Sequence, residues 1–435
     1  MSSSKSEEDT SMTKGIRLGL ACIKSLLTSL GDPHLAVPII HVAGTNGKGS
    51  VCAYLDSILR ASGLRVGRFT SPHLTQVRDC ITLLGKTIEE QAYKEIRDHV
   101  QDTSKSKQIN ASSFELLTAT AFEAFRRVDP PLDLAIVEVG VGGETDATNV
   151  CPRPVVTVIT AIDLDHQALL GDTVPKIARI KAGIMKKGVS CILAPQAYQE
   201  ANAVVSIVAQ QLDAPLYQAQ AAEMVDPSLQ LASFHMGDGT VQARLPLVGA
   251  YQCGNAATAV QAVDVLRKSG RLAGAAKITS QTIKQGLEAT KWPGRLDWIT
   301  LNGRRALLDG AHNVASIKAL RNYLDGLPPR PITFVLALSA PRRAIALLQP
   351  LFQGMTGPVE VIAVEFSKPE GMPWVKPIMP AEIVEAAGTM QVHARAASSL
   401  DEAIGMVGDD DVVVFCGSLY LIADVYRLLE HESDG

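Results

Sequence analysis

The chain has 435 residues, which exceeds what one hydrophobic core usually accommodates, so we expect two domains. Hydrophobic residues make up 46% of the chain and charged residues 20%, which is typical of a soluble globular protein, and no apolar run is long enough to span a membrane. The formal net charge of −4 gives no basic surface for nucleic acid, and seven scattered cysteines without a CxxC pair indicate free thiols in a reducing compartment.

The N-terminal residues 1–15 are polar and acidic, without the apolar core of a signal peptide or the arginines of a transit peptide. We expect a disordered tail there and a cytoplasmic protein, with the mitochondrion left open. Apolar residues at helical spacing predict a first helix over residues 16–30, which Gly31-Asp32-Pro33 ends.

The most informative stretch is IIHVAGTNGKGS at residues 39–50, an apolar strand that runs into a glycine-rich loop and then a helix. Such a unit directs backbone N–H groups and a helix N-terminus at an anion, usually a phosphate. Lys48 adds a cation for the β- and γ-phosphates, and Ser50 adds a hydroxyl suited to Mg²⁺. Gly49 departs from the usual pattern, in which Ser or Thr directly follows the lysine. The alternative is a plain glycine-rich turn.

Further elements follow in the first part of the chain. Apolar runs predict strands at 64–70, 134–139 and 154–160, and helical spacing predicts helices at 88–101, 113–127, 174–185 and 251–268. Ser112 and Ser113 precede Phe114-Glu115, and serines at these positions suit a helix N-cap.

Two polar side chains stand out at strand ends. Glu138 interrupts a buried strand, and a buried carboxylate needs a metal, a cation or hydrogen-bond donors. His166 follows the carboxyl end of the next strand, at the sheet edge where open α/β folds bind ligands. We expect the two to converge, although a lone histidine is more often structural.

The organisation changes near residue 291, where KWPGR has the Pro-Gly content of a linker. We therefore expect an ATP-binding domain over 16–290, a linker over 291–298 and a second domain over 299–435. The predicted fold class is α/β, with a P-loop-type ATPase domain of mainly parallel sheet and a smaller, Rossmann-like C-terminal domain. Alternating strands and helices of the C-terminal domain are predicted at 305–308, 314–324, 332–338, 344–351, 359–364, 381–387, 392–396, 400–406, 412–416 and 419–429.

Several motifs together resemble the folylpolyglutamate and dihydrofolate synthases of the Mur ligase superfamily. They are GTNGKGS at 44–50, GVGGETDATN at 140–149, YQCGNA at 251–256, PGR at 293–295, DGAHN at 309–313 and GSLYL at 417–421. The resemblance covers nearly the whole chain from about Ile16. Two further stretches, SFELLT at 113–118 and EGMPW at 370–374, look like the fungal dihydrofolate synthases.

The resemblance implies a ligase that uses ATP to phosphorylate the carboxylate of dihydropteroate and then joins L-glutamate to it. It implies nucleotide contacts from Thr45, Asn46, Gly47, Lys48, Gly49, Ser50, Asn255, Arg295 and Asp309. It implies Mg²⁺ ligands at Ser50, Ser71, Glu138 and His166. It implies substrate contacts from Phe114, Glu115, Asp146, Ala147, His312 and Ser418.

The same resemblance implies that Lys48 is catalytic, that His312 orients glutamate or relays a proton from its amine, and that Lys181 is carbamylated. An ordinary salt-bridged Lys181 is the alternative. A monovalent cation such as K⁺ is a further candidate cofactor, and a monomer is expected.

Three other functions stay open: a folylpolyglutamate synthase acting on tetrahydrofolate, a nucleotide-binding switch, and an inactive relative. The last is suggested by Glu144, Ile180 and the loop 339–343, which depart from the family pattern.

Overall fold

The computed structural model describes residues 19–408 and 412–433. The predicted tail and the first residues of the predicted first helix lie outside these ranges. The described helix runs over Ala21–Ser29. The prediction of a helix from residue 16 is therefore wrong for residues 19 and 20, which are not helical. Gly19 has a φ of +135° and donates its N–H to Thr145 O at 3.2 Å, which holds this segment outside the helix.

The first domain is built on an eight-stranded sheet. Its strands are β1 Ile39–Ala43, β2 Val66–Phe69, β3 Ile81–Leu83, β4 Lys86–Thr87, β5 Leu134–Glu138, β6 Val156–Ile159, β7 Cys191–Leu193 and β8 Leu216–Gln218. They lie in the order β4-β3-β2-β5-β1-β6-β7-β8, and all pairs are parallel except those made by β3 and β4. Every residue of β1 and β5 is buried, as expected for central strands covered on both faces.

Nine helices are described in this domain: three pack against one face of the sheet, three against the other face, and three against residues of β6 and β7. They are α1 Ala21–Ser29, α2 Lys48–Ala61, α3 Glu90–Ser106, α4 Ser113–Arg126, α5 Gln167–Leu170, α6 Val174–Ala182, α7 Gln199–Gln211, α8 Tyr251–Lys268 and α9 Ser280–Glu288. The α2, α8 and α9 helices pack against one face, and α1, α3 and α4 pack against the other. The predicted N-cap of α4 is confirmed, because Ser112 Oγ accepts from Glu115 N at 3.3 Å.

A small antiparallel sheet follows β8, in a region for which the sequence predicted no elements. Its strands are β9 Glu223–Asp226, β10 Leu231–Met236 and β11 Gly239–Arg244, in the order β11-β10-β9. The inner face of β10 and β11 packs against α8 and extends the core of the first domain.

The second domain has a six-stranded sheet of its own. Its strands are β12 Asp297–Leu301, β13 Arg304–Leu308, β14 Ile332–Leu336, β15 Val359–Ala363, β16 His393–Ala396 and β17 Val412–Cys416. They lie in the order β12-β13-β17-β14-β15-β16, with only the edge strand β12 antiparallel to its neighbour. The helices are α10 Val314–Asp325, α11 Ala344–Phe352, α12 Pro380–Gly388, α13 Leu400–Gly405 and α14 Leu419–Ser433.

Two mainly parallel α/β sheets confirm the predicted fold class. The glycine-rich loop follows β1, Glu138 ends β5, and Asp309 follows β13. Because parallel strands present their carboxyl ends at one edge, both domains direct these residues into the cleft between them. Within the described residues, no helix has the length and apolar character needed to cross a membrane.

Candidate active site

The glycine-rich loop between β1 and α2 is held open toward the cleft. Gly44 and Gly47 have φ angles of +148° and +89°, which favour glycine. The N–H groups of Thr45 and Asn46 donate to Ala161 O at 2.9 and 3.0 Å, which fixes the loop to the strand beside β1. A Cβ at Gly47 would lie 2.3 Å from Oδ1 of Asn255, so this predicted nucleotide residue lies against the loop.

The unusual Gly49 has a steric reason. A Cβ at this position would lie 2.5 Å from Cζ2 of Trp292, whose indole ring covers the start of α2. The guanidinium carbon of Arg68 lies 5.2 Å from the centroid of the same ring on another side. The extra glycine therefore allows a residue of the predicted linker to pack directly on the nucleotide loop.

We expect Gly49→Ala to lower the free energy of unfolding by about 1–3 kcal/mol, because the added methyl overpacks the contact with Trp292. Urea unfolding of the single variants and of the double variant with Trp292→Ala measures the coupling between the two positions. Gly388→Ala is the matched control, since a Cβ there meets no atom within 4 Å. Equal losses in the presence and absence of Trp292 would contradict the steric account.

Two lysines meet behind the loop. Lys48 Nζ donates to Thr45 O at 3.2 Å, so its ammonium group lies over the loop that carries it. Lys181 is 4% exposed, and its Nζ donates to Gly44 O at 2.7 Å. Burial, together with the nearby charge of Lys48, lowers the pKa of Lys181 to about 7. Lys181 is therefore neutral in a large fraction of molecules near neutral pH.

The predicted magnesium residues lie around a buried carboxylate. Glu138 is 4% exposed and accepts a long hydrogen bond from Ser71 N at 3.4 Å. Burial raises the pKa of Glu138 to about 7. Ser50 Oγ is also buried and accepts from Gln252 Nε2 at 3.4 Å.

These residues fit a magnesium ion. Lys48, Arg295 and Arg68 act on the buried Glu138 carboxylate, yet burial still raises its pKa, so a bound cation would offset the remaining cost of burial. Within the described residues, no group of three or more His, Cys, Asp and Glu side chains is arranged for a metal. Mg²⁺ usually takes one or two protein carboxylates and completes its coordination with water and phosphate oxygens.

His166, just after Asp165, has an unusual backbone conformation. Its φ is +51°, and its N–H donates to Oδ1 of the preceding Asp165 at 2.9 Å. Burial lowers the pKa of His166, so the ring is neutral near pH 7, as a metal ligand must be. Glu138 and His166 line the same cavity, and their convergence on one metal ion stays a prediction.

The second domain contributes the DGAHN loop after β13. Asp309 accepts from the N–H groups of Leu296 and Ala311 at 2.8 and 2.9 Å, and burial raises its pKa to about 6 against the opposing effect of Arg295. His312 Nδ1 lies 2.8 Å from Gly310 O. Because a carbonyl oxygen only accepts, Nδ1 carries the proton and Nε2 is the free acceptor. Burial lowers the pKa of His312 to about 4.

Contacts that join the two domains centre on Asp165. Asn313 Nδ2 donates to Asp165 Oδ2 at 3.1 Å and to Asn46 Oδ1 at 3.2 Å, so one amide contacts both the nucleotide loop and the loop of His166. Arg342 Nη2 lies 3.6 Å from Asp165 Oδ1. Sequence reasoning gave no role to Asn313 or Arg342, although both lie in stretches that it singled out.

The cleft holds two adjoining cavities. The first, which we call the nucleotide cavity, has a volume of 1170 Å³ and is lined by the glycine-rich loop, Glu138, Lys181 and Asn255. The second, which we call the acceptor cavity, has a volume of 570 Å³. Residues that line both lie at their junction, and among them are Ser71, His166, Arg295 and His312.

The predicted substrate residues line the acceptor cavity. Phe114 covers Gly140 so closely that a Cβ there would lie 2.4 Å from the ring. Glu115 is already saturated, since its carboxylate accepts from Ile23 N at 3.0 Å and from Ser112 N at 2.8 Å. Asp146 accepts from Val141 N and Thr148 N at 2.9 Å each. The remaining residues of the set are Ala147, His312 and Ser418, whose Oγ lies 3.5 Å from Ser339 Oγ.

Every residue predicted for the site thus lines one of the two cavities, and the roles assigned to these residues stay predictions. Two departures from the family pattern line neither cavity: Glu144 is exposed, and Ile180, on α6, is partly buried against the core. The loop 339–343 does reach the site, because it carries Arg342 into the acceptor cavity.

Comparison with known proteins agrees with this picture. Residues 42–263 match the family model of the Mur ligase middle domain, and residues 295–428 match that of the dihydrofolate synthetase C-terminal domain. The chain is 33% identical to the probable dihydrofolate synthetase of Schizosaccharomyces pombe, over 95% of this chain and 99% of that protein. It is 34% identical to the dihydrofolate synthetase of Saccharomyces cerevisiae, over 95% and 98%.

Among solved structures, E. coli FolC in complex with DHPP and ADP has a TM-score of 0.80 and 27% identity, with coverage of 98% of this chain and 96% of that chain. The fold and the joined cavities define an ATP-dependent ligase of the Mur type. The full-length relatives narrow the class further, and the chain belongs to the dihydrofolate synthetase and folylpolyglutamate synthase family.

Proposed function

We propose that the protein joins L-glutamate to 7,8-dihydropteroate, with conversion of ATP to ADP and phosphate, and so produces dihydrofolate. The observation that carries the proposal is the junction of a nucleotide cavity with a separate, largely apolar acceptor cavity at Arg295 and His312. Relatives matched over almost their whole length are named dihydrofolate synthetases.

The reaction needs an activated carboxylate, because oxide is a poor leaving group. The acceptor's carboxylate oxygen attacks the γ-phosphorus of ATP, the bond to ADP breaks, and an acyl phosphate forms. The amine of glutamate then attacks the acyl carbon, phosphate leaves, and the amine loses a proton. Lys48 and Arg295 offset the charge that accumulates during phosphoryl transfer. The closed cleft between the domains excludes water from the acyl phosphate.

Ser50, Ser71, Glu138 and His166 would hold the magnesium ion. When bound, Mg²⁺ supplies positive charge to the phosphate oxygens. Glu138 would be the principal anionic ligand, and the neutral imidazole of His166 would add a nitrogen donor. We propose no site for K⁺, which stays a prediction of the sequence, as do the monomeric state and the cytoplasmic location.

His312 orients the incoming amine. A neutral ring with Nδ1–H bonded to Gly310 O presents its Nε2 lone pair to the cavity. A pKa of about 4 makes this ring a weak base, so it accepts a hydrogen bond from the amine more readily than it retains the proton.

Arg342 is proposed to bind a carboxylate of glutamate beside His312. The separation of 3.6 Å from Asp165 exceeds a hydrogen bond, so the guanidinium donors can turn to a ligand. A planar fork of donors suits a carboxylate better than an ammonium group does.

For Arg342→Ala we expect the KM for glutamate to rise by about 10- to 100-fold, since hydrogen bonds to a charged group are lost. The KM for ATP should change little, and Arg342→Lys should recover part of the loss. Steady-state kinetics with glutamate varied provides the measurement. Arg343→Ala is the control, because the neighbouring side chain is exposed and outside both cavities. An unchanged KM for glutamate in Arg342→Ala would remove this residue from the site.

Lys181 is proposed to react with CO₂: its neutral amine forms an N–C bond and releases a proton, which leaves a carbamate anion beside the metal site. We expect the activity of CO₂-depleted enzyme to increase on addition of bicarbonate. The increase should be larger above about pH 7 than below it, because the pKa of Lys181 is about 7 in the folded protein.

The unfolded chain retains the proton of Lys181 up to higher pH, so this lysine also makes folding stability increase with pH above about 7.

Rates measured with and without bicarbonate between pH 6 and 8 test this carbamate. Lys181→Ala should be inactive, and a short carboxylic acid such as acetate should restore part of its activity. Lys176→Ala is the control on the same helix, since Lys176 is exposed and pairs with Asp172. The carbamate would be ruled out if bicarbonate did not change the activity of the wild type and acetate did not restore activity to Lys181→Ala.

An ADP-release assay tests the function as a whole. Purified protein with glutamate and dihydropteroate should release ADP, and tetrahydrofolate in place of dihydropteroate should give a much lower rate. Turnover with tetrahydrofolate alone would make the protein a folylpolyglutamate synthase. ATP hydrolysis at a rate that depends on neither glutamate nor the acceptor would favour a nucleotide-binding switch. The proposed domain limits of 16–290 and 299–435 are testable by expressing the two parts separately.

A further inference from the structure

One wall of the acceptor cavity comes from a long loop of the second domain. This loop joins β15 to α12, and we call its residues 367–378 the strap. Five of its residues line the cavity: Glu370, Gly371, Met372, Trp374 and Val375. None of these five lines the nucleotide cavity.

The strap is fixed at both ends to the second domain. At its start, Ser367 N donates to Asp424 Oδ2 at 2.7 Å. At its end, Ala340 N donates to Lys376 O at 2.9 Å, and Ile378 N donates to Leu338 O at 2.7 Å. The same segment is therefore bonded to the loop that carries Arg342.

The middle of the strap crosses the cleft. Glu370 Oε2 accepts from Val77 N, which belongs to the first domain, at 3.1 Å. Tyr420 OH donates to Met372 Sδ at 3.5 Å from the base of the cavity. A loop anchored at both ends and bonded across the cleft forms a wall that stays in place while a substrate occupies the cavity.

The position of this wall decides which acceptors fit. The reacting carboxylate must lie at the junction, near His166 and His312, because the γ-phosphate is transferred there. The strap lines only the acceptor cavity, and so does the facing pair Tyr93 and Arg97 of α3. These groups therefore enclose the part of the acceptor that lies away from the reacting carboxylate.

We propose that the strap limits the acceptor to a pteroate without a glutamate tail, an inference that rests on the proposed function. A glutamate inserted between the ring system and the reacting carboxylate pushes the rings outward against Met372 and Trp374. It also adds a free carboxylate to a cavity wall that carries the charges of Glu370 and of its neighbour Arg97, and Glu370 repels this carboxylate. Steric contact and charge repulsion thus both disfavour acceptors that already carry one or more glutamates.

The test compares the kcat/KM of dihydropteroate with that of tetrahydrofolate in the full-length enzyme. Met372→Ala/Trp374→Ala opens the wall, and it should raise the relative use of tetrahydrofolate by about 10-fold or more. Glu370→Lys keeps the bulk but reverses the charge, so it should raise the same ratio mainly by lowering the KM of tetrahydrofolate. The control is Lys368→Ala, because this strap residue is exposed and lines neither cavity.

Folding of each variant is checked by thermal unfolding, and Glu370→Lys provides the decisive measurement if the double variant is unstable, because Glu370 is exposed. An unchanged ratio in folded variants overturns the role of the strap and leaves the proposed function intact. Equal use of both acceptors by the wild type also overturns it. Wild-type protein that never uses dihydropteroate overturns the proposed function itself, and that result is visible before any variant is made.

Discussion

Replacing Lys48 with alanine should lower kcat by about 10²-fold or more, because one preorganised cation near the transferred phosphoryl group is lost. The ammonium group lies over the loop through its bond to Thr45 O, next to the cavity wall formed by Glu138. Nothing else in the loop replaces its charge, since the other loop residues are glycines or neutral polar residues.

The measurement is single-turnover phosphate release with saturating substrates, so that weaker ATP binding does not hide the chemical step. Lys187→Ala is the control, because this lysine is 82% exposed on the surface of the same domain. Undiminished activity of Lys48→Ala would remove the nucleotide assignment altogether.

Glu138→Gln is expected to have a comparable effect on the rate through another cause. The amide keeps the shape of the side chain but removes the negative charge that would hold Mg²⁺, so we expect a loss of about 10²-fold or more in kcat. Since the carboxylate is buried and poorly compensated without a metal, the metal-free variant should unfold at an equal or higher urea concentration than the metal-free wild type.

Activity as a function of Mg²⁺ concentration, together with urea unfolding in EDTA, separates the two effects. If Glu138→Gln were clearly less stable to urea in EDTA than the wild type, its loss of activity would indicate a structural role of Glu138 instead. Glu144→Gln is the matched control, because Glu144 is exposed and lies outside both cavities.

The elements predicted correctly are those with a strong local pattern. The buried strand before Gly44 and the strand ending at Glu138 were visible as apolar runs, and the N-cap at Ser112 had its reciprocal partner three residues later. The strands from 216 to 244 had no comparable apolar run. No residue of β8 or β9 is buried, and buried residues of β11 alternate with exposed ones.

The candidate site was predicted to the extent that its residues sit in contiguous motifs. What the sequence left open depends on contacts between distant parts of the chain. The packing of Trp292 on Gly49 and the pairing of Arg342 with Asp165 become visible only when the two domains are placed together. The saturation of Glu115 by Ile23 N is another such contact, and it shows that a residue facing the substrate cavity also serves the fold.

The contact between Gly49 and Trp292 has a consequence for how such chains diverge. A larger residue after the lysine is compatible only with a smaller residue, or a displaced backbone, at the position of Trp292. We therefore expect the two positions to change as a pair across related sequences, although 243 positions separate them along this chain. A substitution in the segment between the domains thus restricts which nucleotide loops the first domain can accept.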